Sequence, residues 1–228
     1  MNSSVRHFVA EFVGTFALVF IGSGALLMVQ RTNTPDGLLV VALAHGIILA
    51  LMVSATMNVS GGHLNPAVTL GMVVTKRIAP TMAGVHIVAQ LAGAAFGAFV
   101  LKWTIAAQTF SAARGGGQAV AMDVTMSQAI TLEAVATFFL VFVIFGTAVN
   151  PEAPKLGGMA IGLTIGADIL AIGPLTGGSM NPARSFGPAL ASGIWEGQVV
   201  FWIGPAIGAI VAALVWEYLL LRRPTSAS

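Results

Sequence analysis

Positions 61–71 read Gly-Gly-His-Leu-Asn-Pro-Ala-Val-Thr-Leu-Gly, and positions 177–187 read Gly-Gly-Ser-Met-Asn-Pro-Ala-Arg-Ser-Phe-Gly. Six of the eleven positions are identical, at a constant offset of 116 in a chain of 228 residues. The centre of each copy is an Asn-Pro-Ala tripeptide, formed by Asn65, Pro66 and Ala67 and by Asn181, Pro182 and Ala183. The chain is therefore interpreted as two related halves, each carrying one polar, glycine-rich segment.

The composition around these copies is typical of a membrane protein. Apolar residues make up 57% of the chain and charged residues 8%, whereas a soluble domain carries about a quarter charged residues. The mean hydropathy is +0.91. The chain is thus predicted to lie in a lipid bilayer, and its net charge of +2 gives no reason to expect a nucleic-acid partner.

The sequence offers little for catalysis or cofactor binding. It has no cysteine, so disulfides and thiolate metal sites are excluded. It also shows no nucleophile–base pair or metal-ligand set. We therefore predict no enzyme activity, no metal and no cofactor.

Six apolar stretches are long enough to cross a membrane, which takes about 20 residues in a helix. The alternating polarity of barrel strands is absent, so helices are predicted at roughly 8–30, 38–58, 82–107, 128–149, 156–175 and 199–221. The Asn-Pro-Ala segments follow the second and fifth stretches. Each continues for about ten residues, to Thr75 and Leu190, which is about 15 Å of helix and half of a core about 30 Å thick.

These segments predict two half-helices that meet end to end inside the membrane. Because each half of the chain has three full spans, the second half must be inverted relative to the first. The prediction is an all-α integral membrane protein of six transmembrane helices and two re-entrant half-helices. It forms one domain over 1–228, with repeat one at about 5–110 and repeat two at about 127–223.

The repeat extends beyond the tripeptides. Glu-Phe-Val-Gly-Thr-Phe at 11–16 corresponds to Glu-Ala-Val-Ala-Thr-Phe at 133–138. Gly93 and Gly97 in the third span likewise correspond to Gly204 and Gly208 in the sixth. Small residues at this spacing let helices approach closely, so both pairs are predicted to be packing surfaces.

Basic residues predict the orientation of the chain. Six spans place both termini on one side, and the positive-inside rule assigns the more basic side to the cytoplasm. That side would carry Arg6, Lys76, Arg77, Lys155, Arg222 and Arg223, against Arg31, Lys102 and Arg114 on the other. Both termini are therefore predicted to be cytoplasmic, and the short termini favour a prokaryotic inner membrane.

Each Asn-Pro-Ala segment has the residues of a helix start. Asparagine is a strong N-cap and proline fits the first helical turn, so Asn65 and Asn181 are predicted to turn their amides toward a lumen. The two helix N-termini, each about half a positive charge, would then meet at the midplane and oppose cations. Gly61 and Gly62 suit irregular backbone whose carbonyls line a watery path. A single tripeptide would be only a capping turn, but two matched copies favour a pore for small uncharged solutes.

On these motifs the chain resembles the aquaporin, or major intrinsic protein, family over essentially its whole length. The resemblance implies a right-handed helical bundle that assembles as a homotetramer with one pore per subunit. It also implies that the solutes are water and other small neutral molecules, and that Glu11 and Glu133 support the two loops by accepting backbone hydrogen bonds. The alternative for these carboxylates is a proton relay.

By the same resemblance, the pore narrows at a selectivity filter formed by His45, Ile169, Gly178 and Arg184. A charge at membrane depth is costly and normally functional, which favours Arg184 as a filter residue. His45 has the alternative of a core histidine bonded to a carbonyl. As a filter residue it could exchange protons near neutral pH, because the unperturbed pKa of histidine is about 6.5.

The filter set is similar to that of ammonia-permeable plant tonoplast aquaporins, so ammonia is predicted as a second solute. Those relatives add a histidine from the loop after the third span. Residues 109–127 contain none, and Gln118 is the nearest polar substitute. A glycerol facilitator is the alternative, although Ser185 stands where that group carries aspartate and Phe201-Trp202 resembles the water channels.

Three further polar residues lie in or near the spans. His63 is predicted to line the cytoplasmic half of the pore. His86 is predicted to be structural or interfacial, with a pH gate as the alternative. Asp168 is expected to pair with an arginine or histidine or to accept backbone bonds.

Two other classes of protein remain as alternatives. Ion-coupled secondary transporters also use inverted repeats and broken helices, but they would show saturating or ion-dependent flux, whereas a passive channel shows linear flux. A structural membrane protein would show little flux.

Overall fold

A computed structural model of the chain describes residues 3–154 and 156–221, so Lys155, Arg222 and Arg223 of the charge count lie outside the described residues. Within these ranges the structure contains helices and no strand. The α-helices are α1 Ser3–Thr32, α2 Gly37–Ser60, α3 Pro66–Val74, α4 Pro80–Thr104, α5 Ala107–Ala112, α6 Met126–Ile144, α7 Gly157–Thr176, α8 Pro182–Ser192 and α9 Val200–Val215.

The predicted fold class is confirmed. Six of the helices are long and apolar enough to span a membrane, and the half-helices α3 and α8 follow α2 and α7. Two spans continue beyond their α-helices as π-helical turns, Phe145–Val149 after α6 and Trp216–Leu220 after α9. The predicted bounds are otherwise shifted by a few residues, and α5 was not predicted because six residues are too short for an apolar period.

Both half-helices begin with a capped asparagine. Asn65 Oδ1 accepts a hydrogen bond from the N–H of Ala67 at 2.8 Å, and Asn181 Oδ1 accepts one from Ala183 at 3.0 Å. Proline occupies the first turn of each. The half-helices end at Val74 and Ser192, one residue before and two after the predicted ends.

Matching helix pairs hold each half together at glycines. The α1–α4 and α6–α9 pairs are the corresponding contacts of the two repeats. A Cβ atom on Gly97 would lie 2.9 Å from the carbonyl oxygen of Phe16, and one on Gly204 would lie 2.8 Å from that of Ile130. Only glycine allows these backbones to come so close, as the spacing predicted.

The outer surface of the bundle is apolar, as a bilayer requires. Large side chains such as Leu51, Phe139 and Leu163 are more than half exposed. Buried polar groups instead concentrate around the two half-helices. The polar part of this protein is thus its centre.

Candidate transport pore

Two buried glutamates hold the loops that precede the half-helices. Glu11 Oε1 accepts hydrogen bonds from Ser60 Oγ at 2.6 Å and from the N–H of His63 at 3.0 Å. Glu11 Oε2 accepts the N–H of Leu64 at 2.7 Å. Such charge-assisted bonds compensate a carboxylate for the loss of water.

The second half repeats this arrangement. Glu133 accepts hydrogen bonds from Thr176 Oγ1 at 2.7 Å, from the N–H of Ser179 at 2.9 Å and from that of Met180 at 2.7 Å. Leu64 and Met180 both have φ of 51°, a left-handed conformation that is uncommon for bulky residues. The glutamates therefore hold a strained backbone at the same point of each repeat.

The two loops are bonded to each other at the midplane. Asn65 Nδ2 donates to the carbonyl of Met180 at 2.8 Å, and Asn181 Nδ2 donates to that of Leu64 at 2.9 Å. An amide nitrogen carries two hydrogens. Each asparagine thus gives one hydrogen to the opposite loop, and one is left for the pore.

A narrow cavity runs through the centre of the bundle. Its volume is about 20 Å³, against the roughly 10–15 Å³ that one water needs. Apolar side chains such as Leu49, Leu140 and Ile165 form much of its wall. Of the predicted site residues, its lining includes His45, Gly62, His63, Asn65, Ile169, Gly178, Asn181 and Arg184.

The cavity shares Gly62 and His63 with a wider vestibule of about 320 Å³, whose lining also includes Gly61 and Arg77. His63 therefore stands at the junction of the narrow and the wide part. Pro66, Ala67, Pro182 and Ala183 are not among the residues that line the cavity. They are buried in the first turns of α3 and α8.

Arg184 and His45 are bonded to each other in the filter. Arg184 Nε donates to His45 Nε2 at 3.2 Å, and His45 Nδ1 lies 2.8 Å from the carbonyl of Val41. Nδ1 therefore carries the ring hydrogen and Nε2 offers the lone pair. Both nitrogens are engaged, so His45 offers no free lone pair to a passing solute in this arrangement.

The other side of the filter is apolar and tight. Gly178 has φ of 58°, and a Cβ atom there would lie 3.2 Å from Cα of Ile169. Glycine is thus required by both conformation and space. The wall opposite Arg184 consists of a buried isoleucine and bare backbone.

Sequence reasoning missed the group that holds the far end of Arg184. Nη1 of Arg184 donates to the carbonyl of Gly116 at 3.0 Å, and Ser23 Oγ donates to the same oxygen at 3.1 Å. Gly115 and Gly116 both have positive φ. The run of three glycines at 115–117 was the available signal of such a turn.

Three other polar residues are buried. His86 is fully buried and contacts a histidine on each of two sides, which fits a structural histidine and not an interfacial one. Among the described residues, both amide atoms of buried Gln118 and Oδ2 of Asp168 have no hydrogen-bond partner. Asp168 also forms no ion pair with an arginine or histidine there, contrary to one of its expected roles.

Six spans, two half-helices that meet at their amino ends and a cavity with room for about one water define a membrane channel. The chain belongs to the major intrinsic protein family, whose model matches residues 1–216. It is 42% identical to "Probable aquaporin TIP3-2" of Arabidopsis thaliana, covering 96% of this chain and 85% of the relative. It is 43% identical to "Aquaporin TIP1-2" of Zea mays, covering 95% and 87%.

A solved structure gives the same result for the fold. The aquaglyceroporin from Plasmodium falciparum matches with a TM-score of 0.81 and 25% identity, over 95% of this chain and 96% of that one. The protein is thus an integral, multi-pass membrane protein and a passive water channel, and the ion-coupled alternative finds no support. The similar sequences named here are plant proteins, so a prokaryotic inner membrane also finds no support.

Proposed function

We propose that this protein conducts water in single file and passes ammonia along the same path. The observation that carries the proposal is the narrow cavity, whose polar side chains are those of the filter, the paired asparagines, His63 and Ser179. A solute in such a path exchanges its hydration for a few fixed partners.

The polar groups along the pore have separate roles. Arg184 donates to the oxygen of an entering water. At the midplane, the remaining N–H groups of Asn65 and Asn181 turn that oxygen toward themselves, between two helix N-termini of positive sign. A cation or an excess proton meets the same positive ends and is opposed.

The passage of ammonia is inferred from the small number of hydrogen-bonding side chains in the filter. The ring nitrogens of His45 are both engaged, and Ile169 and Gly178 offer no polar side-chain group. Arg184 is then the main side-chain donor in the filter. A filter with few hydrogen-bonding partners discriminates weakly between water and another small neutral molecule.

Stopped-flow measurements on one batch of proteoliposomes test this proposal. Osmotic shrinkage reports water, and internal alkalinisation after an ammonia gradient reports ammonia. We expect both rates to exceed those of empty vesicles and to rise linearly with the gradient. Water flux without ammonia flux would reduce the function to water alone, and glycerol flux comparable to water would favour the facilitator.

Matched variants connect the result to the filter. Replacing Ile169 with histidine adds a hydrogen-bonding group to the apolar wall and is expected to lower the ratio of ammonia to water flux. Ile161→Val, in the same helix and cavity but away from Gly178, is expected to leave that ratio unchanged. An unchanged ratio in both variants would contradict the role given to the filter wall.

The proposal includes the assembly. By family resemblance, the protein is a homotetramer with a pore in each subunit, and its outward apolar surface is compatible with both lipid and neighbouring subunits. Mass measurement of the detergent-solubilised protein tests this directly.

A further inference from the structure

Three of the four histidines form a continuous chain from the first helix to the pore. His7 Nδ1 lies 3.0 Å from His86 Nε2, and His86 Nδ1 lies 3.3 Å from His63 Nδ1. His7 is half-buried near the start of α1, His86 in α4 is fully buried, and His63 lines both the cavity and the vestibule. The chain thus links the pore wall to the edge of the protein.

Support of the loop does not require this chain. In the second half, Ser179 occupies the position of His63, and Glu133 still holds its loop. The three imidazoles are therefore an addition to the first half. Their hydrogen positions show what the addition can do.

The neighbours of His63 fix where the hydrogens lie. Thr69 Oγ1 donates to the carbonyl of Asn65 at 3.1 Å and accepts from Gln90 Nε2 at 3.0 Å. Since its hydrogen is used, His63 Nδ1, at 3.1 Å from Thr69 Oγ1, must be a donor. His63 Nδ1 carries one hydrogen, which is shared between Thr69 Oγ1 and His86 Nδ1 at 3.3 Å. His86 Nε2–H then donates to His7 Nδ1 at 3.0 Å.

This order leaves one lone pair in the chain without a protein partner among the described residues, at His63 Nε2. A proton added there forms a new N–H bond and breaks none. The Nδ1 hydrogen of His63 can then pass to His86, and the Nε2 hydrogen of His86 can pass to His7. The excess proton is thus shared along the chain and can leave to water from His7 Nε2.

Burial of His63 opposes uptake of a proton and lowers the pKa of its ring, whereas the Glu11 carboxylate favours uptake. Glu11 of α1 lies 3.9 Å from His86 Nδ1, and its carboxylate faces the same loop. Thr69 and Gln90, from α3 and α4, are uncharged. Arg77 lines the shared vestibule, but its charge is paired with Glu217 at 2.7 Å.

We propose that the His7–His86–His63 chain is a pH sensor that lowers water flux when it takes up a proton. Protonation turns His63 Nε2 from an acceptor into a donor and places a positive charge at the inner end of the single file. Water there loses an acceptor and is held by the charge instead. The inference rests on the water-channel activity, which supplies its readout.

Osmotic water flux in proteoliposomes, with equal pH on both sides, tests the sensor. Between pH 8 and pH 4, a range that allows for the lowering of the His63 pKa by burial, wild-type flux is expected to fall at least about twofold. His86→Gln keeps a polar side chain without a titratable ring. This variant is expected to have the water flux of wild type at pH 8 and to show no decrease in flux at low pH. Asp168→Asn, which removes a buried acid elsewhere, is expected to keep that decrease.

A flat wild-type profile would overturn the inference while leaving the channel intact, whereas absence of wild-type flux at every pH would instead contradict the channel. The sensor would also be overturned if His86→Gln kept the full decrease in water flux at low pH, or if Asp168→Asn lost that decrease. Should His86→Gln lack flux at pH 8, the half-buried His7→Gln variant decides by the same criteria.

Discussion

Arg184 is a buried charge whose partners are neutral. Its guanidinium donates to a backbone carbonyl and to an imidazole. Among residues 3–154 and 156–221, no carboxylate forms an ion pair with it. A carboxylate would cancel the field of the arginine. With neutral acceptors, the side chain is fixed in place and its positive charge still acts on the pore.

We therefore predict that Arg184→Val both widens the filter and removes its barrier to cations. Glycerol permeability should rise about tenfold, which corresponds to a barrier lower by about 1.4 kcal/mol, and proton leak should increase. Stopped-flow light scattering and a pH-sensitive dye in the vesicles measure the two effects. Arg77→Gln, in the wide vestibule, is the matched control, and unchanged selectivity in Arg184→Val would contradict the filter assignment.

At the scale of single residues, the sequence predicted which residues lie together. It predicted the hydrogen bonds between them less well. The repeat and the family resemblance together pointed to Glu11, Asn65 and Arg184, because each is fixed by its offset from a motif. The bond between His45 and Arg184 was not predictable. It depends on the turn around Gly116, which is distant in sequence and has no repeat partner to mark it.

At the scale of elements, the helix pairs depend on glycines that face a neighbouring backbone. Gly97 of α4 meets Phe16 and Phe20 of α1, and a Cβ atom added to it would approach their backbone atoms most closely. Backbone cannot move aside as a flexible side chain can. Gly84 of the same helix faces open space, with nothing within 4 Å of such an atom.

This contrast gives a stability prediction within one helix. Gly97→Ala should destabilise the protein by about 1–3 kcal/mol through overpacking. Gly84→Ala should stay within about 1 kcal/mol of wild type, because alanine suits a helix at least as well as glycine. Unfolding in detergent, followed by circular dichroism against denaturant, compares the two. Equal stability of both variants would mean that α1 and α4 do not pack as closely as described.

Most elements were predictable from local features, namely the length of apolar runs and the Asn-Pro starts. The π-helical turns after α6 and α9 were not, and they lie where the two spans contact each other. The rings of Phe142 and Trp216 lie 5.3 Å apart, and a Cβ atom on Gly146 would lie 2.8 Å from the Trp216 ring. A single-sequence pattern contains neither contact.

Over the whole molecule, the two repeats support their loops and half-helices in the same way, but they place different side chains in the pore. Each has a glutamate that holds its loop and an asparagine that caps its half-helix. At the position of Arg184 the first repeat has Val68, and at the position of His63 the second has Ser179. The inverted duplication thus gives a pore with a symmetric centre. Arg184 lies toward one end of this pore and His63 toward the other.

The inversion also fixes which connections share a side, and the basic residues then predict which side that is. Thr32 ends the first span and Glu152 follows the fourth, so they lie on opposite faces of the membrane, with Glu152 on the side of the termini. By the positive-inside rule that side is cytoplasmic. The chain has no cysteine, so single-cysteine variants give unambiguous labelling.

We predict that in intact cells a membrane-impermeant maleimide labels Thr32→Cys strongly, whereas Glu152→Cys is labelled only after the membrane is opened. Both positions are exposed, so access depends on the side of the membrane rather than on burial. The cysteine-free parent is the control for background labelling. The reverse pattern would contradict only the orientation. Labelling of both variants in intact cells would contradict the odd number of spans between the two positions, and with it the inverted repeat on which the pore depends.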